Sequence, residues 1–173
     1  MPVFEITKIL PCQLDAAWEA VVDFPSRTIH SDQYRRADLP DGEEPMPGHR
    51  ILLHIGRDRF TSIITAAQKP SSLSHRTIGP GFWAEYSYRI RLCDERDPGY
   101  TNEDFGSAFL VIRAEYGGWL GSLIAKLRPG ACRRYLEDEL AAIVSASESV
   151  PAEPVPDNQP DEQQSSGESD ANA

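Results

Sequence analysis

The chain has 173 residues, a formal net charge of −10 and 40% apolar residues, enough for one domain of ordinary size. It contains no run of about 18 apolar residues, which excludes a membrane-spanning helix, and no basic face of the kind a nucleic acid requires. The acids gather at the end: Glu148, Glu153, Asp157, Asp161, Glu162, Glu168 and Asp170 stand there against no base, which leaves −3 for residues 1–147.

The stretch 148–173 has no aromatics and only Val150 and Val155 as branched apolar residues. It cannot bury enough surface to offset its chain entropy, so it is expected to be a disordered acidic tail. Residues 1–147 are expected to form one domain. The opening MPVFEITKIL places Glu5 and Lys8 inside an apolar stretch, which reads as a strand and not as a signal peptide. Cys12, Cys93 and Cys132 are an odd number at no metal-like spacing, in keeping with reduced thiols in a cytoplasmic protein.

Pro2–Leu10 is rich in Val, Phe, Ile and Thr and predicts a strand that Pro11 ends. Gln13–Asp23 predicts a helix, because Leu14, Ala17, Trp18, Val21 and Val22 recur at i, i+3, i+4, i+7 and i+8. Residues 24–47 are polar, with a short helix near Arg27–Gln33 and a short strand near Tyr34–Leu39 before a Pro- and Gly-marked loop. Strands follow at His49–Ile55, Arg59–Ala66 and Leu73–Ile78, separated by turns at Gly56–Asp58 and Lys69–Ser72.

Phe82–Leu92 is the most informative strand. One face carries Phe82, Ala84, Tyr86, Tyr88, Ile90 and Leu92; the other carries Trp83, Glu85, Ser87, Arg89 and Arg91. That division marks a sheet with one buried and one wet face. After the polar loop Asp94–Gly106, Ser107–Tyr116 repeats the pattern, with Leu110 and Ile112 turned inward. The helical region then shows one stripe of Trp119, Leu120, Leu123, Ile124 and Leu127, a kink or break at Pro129-Gly130, and helix again from Ala131 along Leu136, Leu140, Ile143 and Val144.

Consecutive strands joined by short turns form an antiparallel meander. Only the C-terminal helix is long and apolar enough to cover its inner face, so the fold class is α+β. This order resembles the START-like, or SRPBCC, superfamily of polyketide cyclase/dehydrase and lipid-transport proteins. The likeness rests on the first strand, Pro11, the helix Leu14-Asp15-Ala16-Ala17-Trp18-Glu19-Ala20-Val21-Val22-Asp23, and the terminal helix that follows the last strand directly. It spans residues 3–146. It implies a helix-grip fold, in which a curved antiparallel sheet wraps a long C-terminal helix and leaves a cavity for a small apolar molecule. Two features depart from the pattern: the interruption at Pro129-Gly130, and the absence of the glycine-rich loop of the birch-pollen-allergen branch.

The cavity candidates are Phe60, Ser62, Ile64, His75, Tyr86, Tyr88, Ile90, Leu110, Ile112, Trp119, Leu123 and Leu127. Each apolar member serves equally as plain core. The two inward tyrosines argue for more, since a buried phenol needs a partner for its hydroxyl. Ser62 would orient a ligand or bond a backbone carbonyl, and His75 is the candidate acid/base group. No carboxylate is expected inside, because Glu85 and Glu115 fall on wet faces. No cofactor and no metal are expected. The functional readings are a carrier of a small hydrophobic ligand, a cyclase/aromatase-type enzyme acting in the same cavity, and a ligand-free interaction module.

Overall fold

The computed structural model describes residues 1–25, 34–38, 44–55 and 58–149, with backbone alone for residues 34–38, 54, 55, 58 and 149. The predicted helix at Arg27–Gln33, part of the loop after it, and the tail from residue 150 lie outside these residues.

Among the described residues seven strands form one antiparallel sheet: β1 (Val3–Leu10), β2 (Tyr34–Asp38), β3 (Arg50–Ile55), β4 (Asp58–Gln68), β5 (Ser72–Gly79), β6 (Phe82–Leu92) and β7 (Ala108–Gly117). Their spatial order is β1-β7-β6-β5-β4-β3-β2. From β2 onward each strand neighbours the next in sequence, and β1 closes the far edge against β7. Asp58, expected in a turn, already pairs with Ile55 as the first residue of β4. A register shift in β4 between Ile64 and Ala66 marks an irregularity in its pairing with β5.

Among the described residues the sheet is accompanied by the helices α1 (Leu14–Val22), α2 (Gly118–Leu127) and α3 (Pro129–Ser149). Helix α1 buries Ala17, Trp18, Ala20 and Val21. Helix α3 packs against α1, β1 and β7, and α2 against β6 and β7. The core is continuous, joining Trp18, Val21 and Phe24 to Ile51, Ile64, Leu73, Ile90, Leu110 and Ile112 of the sheet and to Leu136 and Ile143 of α3.

The terminal helical region differs from expectation in two ways. The break falls at Arg128 (φ −131°, ψ 53°), and α3 starts at Pro129 rather than Ala131. Proline pushes the residue before it out of the helical region, yet it suits the first position of a helix, where its missing amide would bond nothing. The amides of Ala131 and Cys132 then donate to the Arg128 carbonyl at 3.0 and 3.3 Å.

The second difference is orientation. The apolar stripe of α2 faces outward: Trp119 is 73% exposed, Leu127 72%, Leu123 45% and Ile124 42%. The buried face is the small one, Gly121 and Ala125. A Cβ on Gly121 would stand 3.3 Å from the Phe82 Cβ, so α2 approaches β6 closely on a face without bulk. Leu92, the last inward position expected on β6, is also exposed, while Ala84, Tyr86, Tyr88 and Ile90 are buried as the alternation predicts.

Candidate functional site

The pleat sends every second side chain to the concave face. Pairing brings Ser62 opposite Thr77, Ile64 opposite His75, His75 opposite Tyr86, and Tyr88 opposite Ile112. Antiparallel diagonals then place His75 within reach of both Ser62 and Tyr88.

The result is a chain of hydrogen bonds through the middle of the domain. Thr77 Oγ1 donates to Ser62 Oγ at 3.0 Å. Ser62 Oγ lies 2.7 Å from His75 Nδ1, and His75 Nε2 lies 3.2 Å from the Tyr88 hydroxyl. Tyr88 donates to Glu139 Oε1 of α3 at 2.7 Å. All five side chains are buried, Ser62 and Glu139 completely. Tyr88 gives its proton to Glu139, so its oxygen accepts from His75 Nε2–H, and Ser62 and His75 Nδ1 share the bond on the other side of the ring.

Aromatic rings enclose this chain. His75 stacks on Tyr86 and Tyr88, with centroids 5.3 and 5.8 Å away, and Phe24 meets it edge-on at 5.9 Å. The Tyr86 and Tyr116 hydroxyls are 3.3 Å apart, and Tyr135 of α3 packs against Tyr86. Burial pushes the Tyr116 phenol up to about 12, and pushes Tyr86 well above the ordinary tyrosine value, reinforced by Tyr135 and Tyr116. Burial also raises the thiol of Cys132, which is in hydrogen-bonding reach of Tyr116. Both phenols are therefore held neutral, as donors and acceptors rather than as bases.

Of the sequence candidates, Ser62, Ile64, His75, Tyr86, Tyr88, Ile90, Leu110 and Ile112 are buried on the concave side, and Phe60 is half-buried against them. Trp119, Leu123 and Leu127 are not with them; they are exposed on α2. The sequence reading missed two members of the buried chain, Thr77, which shares the inward phase of His75, and Glu139. Glu139 follows Leu136 by three positions and precedes Ile143 by four, so it lies on the apolar stripe of α3, and that placement was the available signal. Glu85 and Glu115 do lie on the outer face, paired with Arg76 and Arg113. Among the described residues no helix is long and apolar enough to cross a membrane.

No family model matches this chain, and no curated protein matches it either. Solved structures do. An aromatase/cyclase from a Streptomyces species superposes with a TM-score of 0.63 at 13% identity, covering 85% of this chain and 93% of that one. Ara h 8.0201 superposes at 0.58 with 14% identity, covering 85% and 95%. A Thermus thermophilus protein superposes at 0.62 with 11% identity, covering 85% and 97%. The chain thus shares the helix-grip fold of these structures, an α+β domain with a curved antiparallel sheet and a long C-terminal helix.

Proposed function

We propose that this domain, residues 1–147, is a cytoplasmic carrier of a small, mainly apolar molecule that bears a hydroxyl or carbonyl group. The molecule would lie between the concave sheet and α3, with its polar end at the Tyr88–Glu139 link. The observation that carries this reading is the buried chain from Thr77 to Glu139, set among aromatic rings. A core built for packing alone gains little from five linked polar side chains, because each must be desolvated and any unmade bond is costly. A ligand site uses such groups to fix orientation against an apolar lining. The fold shared with an aromatase/cyclase supports the same placement.

Native mass spectrometry of freshly purified protein is the test. A co-purified apolar species, lost on denaturation, is expected. A chain at its bare mass, with no saturable binding of fatty acids, flavonoids or fused-ring phenols, would defeat the reading.

A second reading, a cyclase-type enzyme, is favoured by the way His75 joins Ser62 to Tyr88 and Glu139. A ligand carbonyl taking the place of the Glu139 oxygen would accept the Tyr88 hydrogen bond, with His75 Nε2–H holding the Tyr88 oxygen. Glu139 would then accept the proton of an adjacent C–H, leaving the electron pair as an enolate. Tyr86→Phe and Tyr88→Phe separate the two readings. An enzyme loses turnover far more than affinity, whereas a carrier shows a modest change in affinity only.

A further inference from the structure

The exposed stripe of α2 and the cations beside it form a second surface, remote from the buried chain in character. Trp119, Leu123 and Leu127 are spaced by four, so successive members advance by about 40° and occupy one narrow face. Ile124 widens that face, and the opposite face, Gly121 and Ala125, is buried against the sheet. Four exposed cations stand at the same end of the helical region: Lys126, Arg128, Arg133 and Arg134. No acid occurs between Glu115 and Glu137, although the chain as a whole carries −10, and Glu137 and Asp138 enter only one turn beyond Arg133 and Arg134. Among the described residues none of these four cations takes part in an ion pair.

We propose that α2 and the first turn of α3 dock this protein on an anionic lipid bilayer, with Trp119, Leu123 and Leu127 entering the headgroup region and the four cations facing the lipid charges. A helix with leucines and a tryptophan on one face and lysine or arginine beside it suits the interface plane, and tryptophan favours headgroup depth. Charge complementarity selects the occupant. An acidic tail would satisfy the cations but brings no bulky apolar groups to cover Trp119, since residues 150–173 contain only Val150 and Val155 of that kind. A second copy would bring the same four positive charges against themselves. The anionic bilayer satisfies both halves of the surface. This docking stands without the carrier reading, because it uses none of the buried residues.

The test uses the full chain with vesicles of phosphatidylcholine alone and with added phosphatidylserine, followed by co-sedimentation and by quenching of tryptophan with brominated lipid. Trp18 is buried and Trp83 is half-buried under the Arg76 guanidinium, so Trp119, 73% exposed, is the tryptophan the lipid should reach. Binding is expected only with phosphatidylserine, weakening as salt rises. Arg133→Glu with Arg134→Glu should weaken it at least tenfold, since each basic residue contributes roughly a fivefold factor at such a surface. Trp119→Phe should remove most of the quenching, leaving at most the part due to half-buried Trp83, and circular dichroism of both variants checks that they are folded. The proposal is overturned by absence of binding to phosphatidylserine vesicles, by binding without quenching, or by a dimer in solution that Trp119→Phe dissociates. Equal loss of binding to an anionic polymer such as RNA, with no lipid quenching, overturns it as well.

Discussion

Tyr88→Phe isolates the centre of the buried chain. The ring stays, so packing is retained and no cavity opens. What disappears is the donor to Glu139 Oε1 at 2.7 Å and the partner of His75 Nε2 at 3.2 Å. A hydrogen bond to a charged group contributes about 1.5–3 kcal/mol, and an ordinary one about 1 kcal/mol. At 1% exposure, water has little access to replace either. The expected loss is therefore roughly 2–4 kcal/mol, a fall in melting temperature of roughly 5–15 °C for a domain of this size. Urea unfolding followed by far-ultraviolet circular dichroism measures it, and an unchanged m-value confirms that the same surface unfolds. Combining Tyr88→Phe with Glu139→Gln in a double-mutant cycle should show a coupling of about 1 kcal/mol or more, as expected of residues in one network. A Tyr88→Phe change within about 0.5 kcal/mol of wild type is what an uninvolved surface position gives, and it would refute the buried bond.

Ser62→Ala removes the acceptor for Thr77 and the partner of His75 Nδ1, and should cost about 1–3 kcal/mol in the same urea assay; an unchanged midpoint would remove Ser62 from the network. Gly118→Ala should be worse than Gly121→Ala. Gly118 has φ +74° and its Cβ would stand 2.5 Å from the Gly81 carbonyl oxygen, whereas the Cβ of Gly121 meets nothing closer than 3.3 Å. The left-handed conformation alone costs about 1–2 kcal/mol for a residue with a Cβ, and thermal melts of the two variants rank them. High pH should destabilise the fold. Tyr116 titrates near 12 when folded against about 10 when exposed, so the folded state holds a proton the unfolded state releases. Its contribution is complete below pH 10 and is lost as pH rises toward 12, amounting to about 2–3 kcal/mol, and Tyr86 acts in the same direction. Tyrosinate absorbance should rise for these two only with unfolding; a smooth, reversible titration with the dichroism intact would contradict this.

The sheet was legible because a half-buried strand writes its two faces in alternate residues. Phe82–Leu92 has the same bounds in sequence and structure, and Tyr86, Tyr88, Ser62 and His75 all face inward. What the alternation cannot carry is who meets whom. His75 needs the β4–β5 and β5–β6 registers before its two ring nitrogens acquire partners. Glu139 escaped because a carboxylate is rarely buried unless paired, and its partner is 51 positions away. Helix α2 escaped for a different reason. Periodicity ranks faces by the size of their apolar groups, while close approach to a sheet selects small ones, and at Gly121 and Ala125 the second criterion prevailed.

The Tyr88–Glu139 bond joins the sheet to α3, and a molecule seated between the two layers with its polar end at this link would replace it. Under the proposed function this sets the polarity of the ligand. A hydroxyl can donate to Glu139 and a carbonyl can accept from Tyr88, whereas a bare hydrocarbon breaks the bond between the two and replaces neither half of it. A hydrogen bond to a charged group contributes about 1.5–3 kcal/mol, so a hydrocarbon should bind roughly tenfold or more weakly than its hydroxylated counterpart of equal size. Titration calorimetry with such a matched pair measures the ratio, and in Tyr88→Phe the ratio should shrink. Equal affinities for the two compounds in the wild-type protein would mean that ligands bind without touching this link, and the placement of the ligand's polar end would be wrong.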